Sequence, residues 1–456
     1  MTPAAKDVVV VGGGFGGLSA GVALAEAGFR VALLESKPAL GGRAYSFSDG
    51  DTGDFVDNGQ HVLMGCYRAT LDFLRKLGTD NQLIAQPDLA IEMLDLNRRT
   101  AVLKTLRLPG PLHMLSAILG YKHLPLAMRL SVIRAGMRLM RLWKSDPQQL
   151  REMTVAALMD ELGQGGGERE CFWYPIAIAT LNEDPGLASA GLFAAVLKRA
   201  FFGRRADSAF VYAKVGLSDL YCPPATAIIE KADGVVACRS IVEAIEFADG
   251  KAVAVRLRDG ARLEAANFVL AVPPDRLLKL LPEGAVADSF FAPLAELKSS
   301  PIICVHLWLD RKVTDSAVTG FIGTTTQWVF NKRRIFAGQG TGHRGETGYL
   351  SFVISGARDL LDRSNDDLLQ IVLADLHGMI PVSREAKVIK ALVLKEKQAT
   401  FAPDPESDSK RPPVATPIPN VFLAGDWVQT GLPSTIESAV LAGSAASSAI
   451  IATVAP

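Results

Sequence analysis

The chain has 456 residues, 49% of them hydrophobic, and its 48 Lys and Arg residues balance 48 Asp and Glu residues. This length and apolar fraction predict a folded protein with the core of two or three domains. The formal net charge of zero excludes the broadly basic surface that nucleic-acid binding requires, so we expect no nucleic-acid partner.

Cysteine use and the first residues of the chain predict a cytoplasmic protein. The five cysteines are scattered and form no C-x-x-C pair, which predicts reduced thiols and no metal site. The N-terminal stretch lacks a charged region followed by an apolar core, so we expect no signal peptide. No uncharged apolar run approaches the roughly 20 residues that span a bilayer, so we expect no transmembrane helix.

A valine-rich strand and a glycine-rich turn open the chain. The valines after Asp7 predict a buried parallel strand, and Gly12, Gly14 and Gly17 follow it in the pattern G-x-G-x-x-G. Gly12 would form the tight turn, Gly14 would let the backbone approach a pyrophosphate, and Gly17 would let the next helix pack closely. This helix, beginning at Phe15, would direct its free N–H groups and positive dipole end at the same phosphates.

The second predicted strand ends in an acid, and two glycines and an arginine follow. Glu35 closes this strand, at the position where a carboxylate accepts hydrogen bonds from a ribose hydroxyl. Strand, glycines, helix, strand and acid in this order predict a Rossmann-like dinucleotide site. Gly41 and Gly42 would let the chain pass close to a ligand, and Arg43 could donate paired hydrogen bonds to its diphosphate.

Residues 105–145 depart from the neutral average, because they contain Lys and Arg residues but no Asp or Glu. Arg134, Arg138 and Arg141 fall on one helical face, with Leu and Met residues around the rest. A basic, apolar helical hairpin suits an anionic membrane surface, and the alternative is a helical lid with a solvated basic face. The basic residues of this segment are Arg107, Lys122, Arg129, Arg134, Arg138, Arg141 and Lys144.

Later strands are predicted to return the chain to the nucleotide-binding domain. Period-2 runs within residues 234–258 predict antiparallel strands, and the apolar run 267–272 predicts a buried strand that ends at Pro273. Val242 is a candidate adenine contact through its backbone. A second G-x-G-x-x-G match at Gly340–Gly345 precedes an alternating run rather than a helix, so we interpret it as a hairpin turn.

An apolar strand and a long helix are predicted for the last forty residues. The strand leads into Gly425 and Asp426, and the helix that follows is rich in Ala and Ser. Ser434 and Glu437 have the spacing of a capping box, which places the start of this helix between them. Its positive N-terminal end would stabilise negative charge on a ligand.

These elements predict an α/β protein with two discontinuous domains. The Rossmann-like nucleotide-binding domain is predicted to comprise residues 1–85, 221–280 and 415–456. The α+β substrate domain is predicted to comprise residues 86–220 and 281–414. The basic apolar segment 105–145 belongs to the substrate domain.

The spacing from Glu35 to Gly41-Gly42-Arg43, together with Gly425-Asp426, resembles the flavin-containing amine oxidase and phytoene desaturase superfamily. This resemblance implies a GR2-type flavoprotein fold, FAD as the cofactor and no metal. In that superfamily the Gly-Asp pair holds the ribityl-diphosphate, and the last helix directs its N-terminus at the flavin. The residues implied to bind FAD are Gly12, Gly14, Phe15, Gly17, Glu35, Gly42, Arg43, Gly59, Val242, Gly425, Asp426, Thr435 and Ile436.

Residues 57–70 and 425–440 resemble, more narrowly, the squalene-associated FAD-dependent desaturase family. That family implies reductive dehydroxylation of hydroxysqualene to squalene in bacterial hopanoid synthesis, with a hydrophobic C30 isoprenoid as substrate. Together with the basic segment, it predicts a peripheral location on the inner face of the cytoplasmic membrane. No sequence feature identifies the external electron donor.

This chemistry requires an acid, an apolar tunnel and the exclusion of water. His61 lies two residues after Gly59 and is the candidate proton donor. The alternative is a histidine that bonds the backbone within a turn. Asp54 and Asp57 are weaker candidates, and we interpret them as turn formers.

Two other functions fit the same fold. A carotenoid-type desaturase or an amine oxidase would use oxidised FAD, and a non-catalytic prenyl-binding protein would use none. The intact Gly41-Gly42-Arg43 and Gly425-Asp426 motifs favour a bound flavin over the non-catalytic alternative.

Overall fold

The structure, a computed structural model, describes residues 6–336 and 347–454. The turn predicted at Gly340–Gly345 therefore lies outside the described residues. The described strands are β1 (Lys6–Val11), β2 (Val31–Leu34), β3 (Ser46–Ser48), β4 (Phe55–Asp57), β5 (Leu63–Met64), β6 (Leu83–Ala85), β7 (Ala90–Asp95), β8 (Thr100–Lys104), β9 (Phe210–Ala213), β10 (Val235–Ala237), β11 (Val242–Ala248), β12 (Lys251–Leu257), β13 (Arg262–Leu270), β14 (Ser299–Leu309), β15 (Val318–Ile322), β16 (Trp328–Asn331), β17 (Gly348–Ser355), β18 (Val388–Phe401) and β19 (Val421–Leu423).

Helices connect and cover these strands. Short 3₁₀ turns and one π-helical stretch, Arg169–Trp173, join some of them. The described α-helices are α1 (Phe15–Glu26), α2 (Arg68–Lys76), α3 (Leu112–Gly120), α4 (Leu126–Ser145), α5 (Pro147–Glu152), α6 (Val155–Glu161), α7 (Gly166–Glu168), α8 (Tyr174–Leu181), α9 (Ala190–Phe201), α10 (Leu217–Lys231), α11 (Pro274–Leu280), α12 (Glu283–Val286), α13 (Lys332–Ile335), α14 (Asn365–Met379), α15 (Ser407–Lys410) and α16 (Ile436–Val454).

A parallel sheet in the order β10-β2-β1-β13 forms the first layer, and β19 extends it beside β13. The valines of β1 are buried, as a strand covered on both faces requires. The first half of β13 continues into the antiparallel strands β12 and β11. Because the carboxyl ends of parallel strands share one edge, Gly12, Glu35 and Gly425 follow β1, β2 and β19 at the same edge.

A second sheet, in the order β18-β14-β17-β16-β15-β7-β8, forms the other major layer. Side chains of β14 alternate between its two faces. Ile303, Val305 and Leu307 pack in one cluster with Leu368 and Val372 of α14. The opposite face contributes residues to the cluster that surrounds the cavity described below.

The predicted domain boundary between residues 220 and 221 falls within a helix. Helix α10 begins at Leu217, and the ring of its Tyr221 stacks on Phe15 at the start of α1, with centroids 3.7 Å apart. The domain boundaries stay predictions.

Helix α16 corrects the expectation that no apolar run approaches membrane-spanning length. Its 18-residue window Ile436–Thr453 is long and apolar enough by length and composition. In this fold α16 packs closely along α1. The absence of a side chain at Gly443 permits this, since a Cβ there would overlap Ser19 Oγ and the carbonyl oxygen of Gly16. Ala442, Ala446 and Ile450 are buried, as in the core helix of a folded domain.

The basic segment forms the predicted helical hairpin, consisting of α3 and α4. Helix α4 buries Val132, Ala135, Gly136 and Leu139. Its basic residues at positions 134, 138 and 141 are exposed, which agrees with the predicted one-sided face.

Candidate functional site

A cavity of about 560 Å³ lies where the carboxyl edge of the parallel sheet meets the second sheet. Of the residues predicted from the sequence, Gly17 does not line this cavity. The predicted residues that do line it are Gly12, Gly14, Phe15, Glu35, Gly42, Arg43, Gly59, His61, Val242, Gly425, Asp426, Thr435 and Ile436.

The three fingerprint glycines meet different geometric demands. Gly12 has a φ of +111°, and a Cβ there would lie 2.5 Å from the carbonyl oxygen of Ala271. A Cβ at Gly17 would overlap the carbonyl oxygen of Gly12, so Gly17 serves helix packing. At Gly14, the nearest atom to an added Cβ is Gly42 Cα at 3.7 Å. The position of Gly14 is therefore open to the cavity.

Backbone groups hold the Glu35 carboxylate at the cavity wall. Its Oε2 accepts from the N–H of Gly13 at 2.8 Å, and its Oε1 accepts from the N–H of Lys37 at 2.8 Å. A carboxylate has about four acceptor positions, so Glu35 retains capacity for a ribose hydroxyl.

Arg43 and Asp426 contact each other, although each was predicted separately as a cofactor ligand. The Arg43 guanidinium pairs with Asp426 Oδ1 and also donates to the carbonyl oxygen of Ala399 at 3.3 Å. Ser434 Oγ donates to the second oxygen of Asp426. One charged cluster thus joins the β2 loop to the segment before α16.

The predicted capping box at the start of α16 is wrong. Thr435 caps the helix, because its Oγ1 accepts from the N–H of Ser438 at 3.1 Å. Glu437 is fully buried and accepts instead from the N–H and hydroxyl groups of Thr70, at 2.9 and 2.8 Å. Arg199 donates to the same carboxylate at 2.9 Å. Glu437 therefore caps α2 rather than its own helix.

A fully buried lysine, which the sequence analysis missed, lies behind the cavity. Lys332 Nζ donates to Asp57 Oδ2 and to Gln60 Oε1, both at 2.7 Å. Asp57 Oδ1 accepts from the N–H of Leu217 at 3.1 Å. Burial, and then the charge of Lys332, lowers the pKa of His306 to about 3, so that imidazole is neutral at pH 7.

The turn-former interpretation of Asp54 and Asp57 is also wrong. Asp57 ends β4 and pairs with Lys332. Asp54 accepts from Arg333 at 2.6 Å and from Trp308 Nε1 at 2.9 Å. The partner of Asp57 could have been suspected from the sequence, because Lys332 directly follows the apolar strand β16. However, two arginines come after Lys332, so the stretch resembles an ordinary solvated basic run.

His61 lines the cavity through a half-buried side chain. Its Nε2 lies 3.3 Å from Asn58 Oδ1, so its partner is a side chain rather than the backbone. Burial lowers the pKa of His61, the Asp57 carboxylate raises it and Lys332 lowers it further. The net effect lowers the pKa of His61, so its imidazole is neutral at pH 7 rather than protonated.

The half of the cavity that faces the second sheet is apolar. Trp328 and Phe330 contribute from β16, and the buried Nε1 of Trp328 has no acceptor within the described chain. An oxygen atom on a ligand would satisfy this N–H. Other apolar lining residues here are Val62, Met64, Leu280, Ile302, Val318 and Val353.

A family model described as "Flavin containing amine oxidoreductase" matches residues 15–451. The chain belongs to this family. It is an FAD-dependent oxidoreductase, as the resemblance of its glycine and Gly-Asp motifs predicted.

Curated relatives of this flavin-containing oxidoreductase include two reaction types. Hydroxysqualene dehydroxylases of Sinorhizobium fredii and Rhodopseudomonas palustris are 27% and 28% identical to it, and the alignments cover 97% and 98% of this chain and 97% and 99% of theirs. A 15-cis-phytoene desaturase of Solanum lycopersicum is 26% identical, with 98% of this chain and 77% of the relative covered.

Solved structures confirm the fold of this flavin-containing oxidoreductase. A variant of putrescine oxidase superposes with a TM-score of 0.72 at 18% identity, covering 98% of this chain and 99% of that one. Cyclohexylamine oxidase from Brevibacterium oxydans gives a TM-score of 0.71 at 16% identity and covers 99% of both chains. The predicted GR2-type α/β flavoprotein fold is thus confirmed.

The cavity fits FAD by its own geometry. No side chain caps the N-terminus of α1, so the first N–H groups of this helix can bind the pyrophosphate beside Gly14. Glu35 would hold the ribose, and Arg43 with Asp426 would bind the diphosphate and ribityl groups. Among residues 6–336 and 347–454, no group of three His, Cys, Asp or Glu side chains could hold a metal ion.

Proposed function

We propose that this flavoenzyme reductively removes the hydroxyl group of hydroxysqualene and yields squalene. The main observation that supports this proposal is the cavity itself. Its polar half, which fits a nucleotide, opens directly onto an apolar half formed by the second sheet. A hydrocarbon chain gains about 25 cal/mol for each Å² of apolar surface that it buries there. The two dehydroxylase relatives, matched over nearly the whole chain, support the same substrate.

The overall change breaks the C–O bond, forms a C–H bond at the same carbon and releases the oxygen with a proton as water. FAD, when bound and carrying two electrons and two protons, supplies both the hydride and the proton. The apolar half excludes water from the reacting carbon. The free N–H of Trp328 polarises the departing hydroxyl by donating a hydrogen bond, and neutral His61 does so when its single N–H, on Nε2, turns from Asn58 Oδ1 to the substrate.

Product analysis distinguishes this reaction from the desaturase alternative. FAD-loaded protein, reduced under anaerobic conditions, is incubated with hydroxysqualene, and oxidised protein is incubated with phytoene. We expect squalene from the first mixture, with deuterium from flavin N5 at one carbon where exchange with solvent is slower than transfer. Desaturated phytoene from the second mixture and no squalene from the first would instead assign the reaction of the phytoene desaturase relative.

Variants at His61 test its proposed contact with the substrate. We expect His61→Ala to keep FAD bound and to lower kcat by about a hundredfold or more. His61→Gln retains an N–H donor and should recover part of this loss. A kcat for His61→Ala equal to that of the wild type would remove His61 from the reaction.

We further propose that the protein lies on the inner face of an anionic membrane, from which it collects its substrate. The basic segment supports this proposal, because apolar side chains on it are exposed beside exposed arginines. The exposed apolar residues are Leu106, Leu108, Leu112, Leu119, Leu126, Leu130 and Met137.

Charge reversal on α4 tests the membrane contact. Each basic residue near an anionic surface contributes about 1 kcal/mol, so Arg134→Glu, Arg138→Glu and Arg141→Glu together should abolish co-sedimentation with anionic vesicles. Added salt should weaken the wild-type binding. A control with Arg363, Arg384 and Lys397 reversed, exposed residues elsewhere in the chain, should still bind. Unchanged binding of the α4 variant would identify the hairpin as an internal lid.

A further inference from the structure

A second cavity, of about 630 Å³, is lined by residues other than those that line the FAD cavity. Part of its wall is the segment 429–432, which directly precedes the FAD-cavity residues Ser434, Thr435 and Ile436. We call it the basic cavity, because four cationic side chains line it: Arg68, Arg151, Lys198 and Arg199.

These cations are incompletely neutralised. Across the described ranges, no carboxylate lies within 4 Å of Arg151 or Lys198. Lys198 Nζ lies over the ring of Trp143, 5.2 Å from its centroid. Arg199 pairs with Glu437 through one nitrogen at 2.9 Å, which leaves most of its five N–H donors available.

The two acids of the cavity wall leave Arg151 and Lys198 without a carboxylate. Asp207 Oδ2 accepts from the N–H of Arg204 at 2.8 Å, and both Asp207 oxygens accept from Arg68 at 3.4 Å. Asp408 pairs at 3.0 Å with Arg411, whose side chain is fully buried. The lining therefore carries an excess of positive charge that its own carboxylates do not balance.

We propose that the basic cavity binds a phosphate-bearing ligand. Arginine and lysine donors that converge on one cavity match the several acceptor oxygens of a phosphate or diphosphate. The phosphate is the headgroup of an anionic phospholipid or belongs to a free compound, and both sources offer the same chemistry. Trp143 connects the cavity to the basic segment, since it lies on α4. The proposal does not depend on the identity of the substrate.

Calorimetric titration with inorganic pyrophosphate tests the site on FAD-loaded protein, in which the cofactor cavity is filled. The test variant is Arg151→Gln with Lys198→Gln, which leaves no carboxylate unpaired within the described chain. The control is Arg363→Gln with Lys397→Gln, which removes the same charge from exposed positions outside both the cavity and the basic segment. Flavin absorbance confirms that both variants are folded.

We expect the test variant to bind pyrophosphate at least about tenfold more weakly than the control, which should match the wild type. Co-sedimentation with phosphatidylcholine vesicles, with and without phosphatidylglycerol, then identifies the source. Loss of phosphatidylglycerol-dependent binding in the test variant alone indicates a lipid headgroup, and equal vesicle binding in both variants indicates a free phosphate compound. Wild-type affinity of the test variant for both probes would overturn the proposal.

Discussion

Replacing Gly14 with valine is expected to give a folded, colourless protein that purifies without FAD. The extended backbone of Gly14, with a φ of −86°, suits a β-branched residue. An added Cβ meets no atom closer than Gly42 Cα at 3.7 Å, so the chain itself tolerates the side chain. The branched methyl groups would instead project into the cavity that Gly14 lines, beside the N-terminus of α1 where the pyrophosphate binds. The absorbance spectrum of the purified protein measures the flavin content.

Two further glycine variants separate cofactor loss from unfolding. Gly50 is exposed, with no atom within 4 Å of an added Cβ, so Gly50→Val should keep its flavin. Gly17→Val should fail to fold, because its Cβ overlaps the carbonyl oxygen of Gly12. Glu35→Ala should weaken FAD binding by removing the ribose acceptor. Stoichiometric flavin in Gly14→Val protein would contradict the placement of the cofactor.

Replacing Lys332 with methionine is expected to lower the free energy of unfolding by about 3 to 5 kcal/mol. The substitution leaves the Asp57 carboxylate buried without its cation, and Gln60 Oε1 loses its donor. Thermal unfolding of the FAD-loaded protein measures the change as a lower Tm.

The second variant, Lys332→Met with Asp57→Asn, identifies the buried charge as the cause. An asparagine keeps an acceptor for the N–H of Leu217 and removes the unpaired charge, so the double variant should be more stable than Lys332→Met alone. Lys312→Met is the matched control, because its pair with Asp315 is solvent-exposed and should contribute little to stability. A Tm for Lys332→Met equal to that of this control would refute the argument.

The parts of the site that the sequence predicted are those fixed by local geometry. A strand, a glycine turn and a helix are adjacent in sequence, so the residue types alone specify the roles of Gly12, Gly14 and Gly17. The same holds for Glu35, since the end of a parallel strand places it at the cavity edge. The family motifs supplied Gly425 and Asp426.

The parts that were missed depend on partners distant in sequence. Ser434 and Glu437 have the spacing of a capping box, but Thr70 and Arg199 bind the Glu437 carboxylate in the fold. Lys332 has no local pattern that distinguishes a buried ion pair from a solvated basic run. No single-sequence rule specifies which carboxylate, hundreds of residues away, a side chain will meet.

Because β1 pairs with β13 and β13 pairs with β19, the parallel sheet can be completed only after β19 has been synthesised. The N-terminal fingerprint leaves the ribosome well before β13, and β19 and α16 follow β13 along the chain. The flavin cradle therefore stays incomplete until Gly425, Asp426 and Thr435 have also been synthesised. A ribosome-stalled chain that ends before β19 would lack these three residues, so it should bind FAD more weakly than the longer chain.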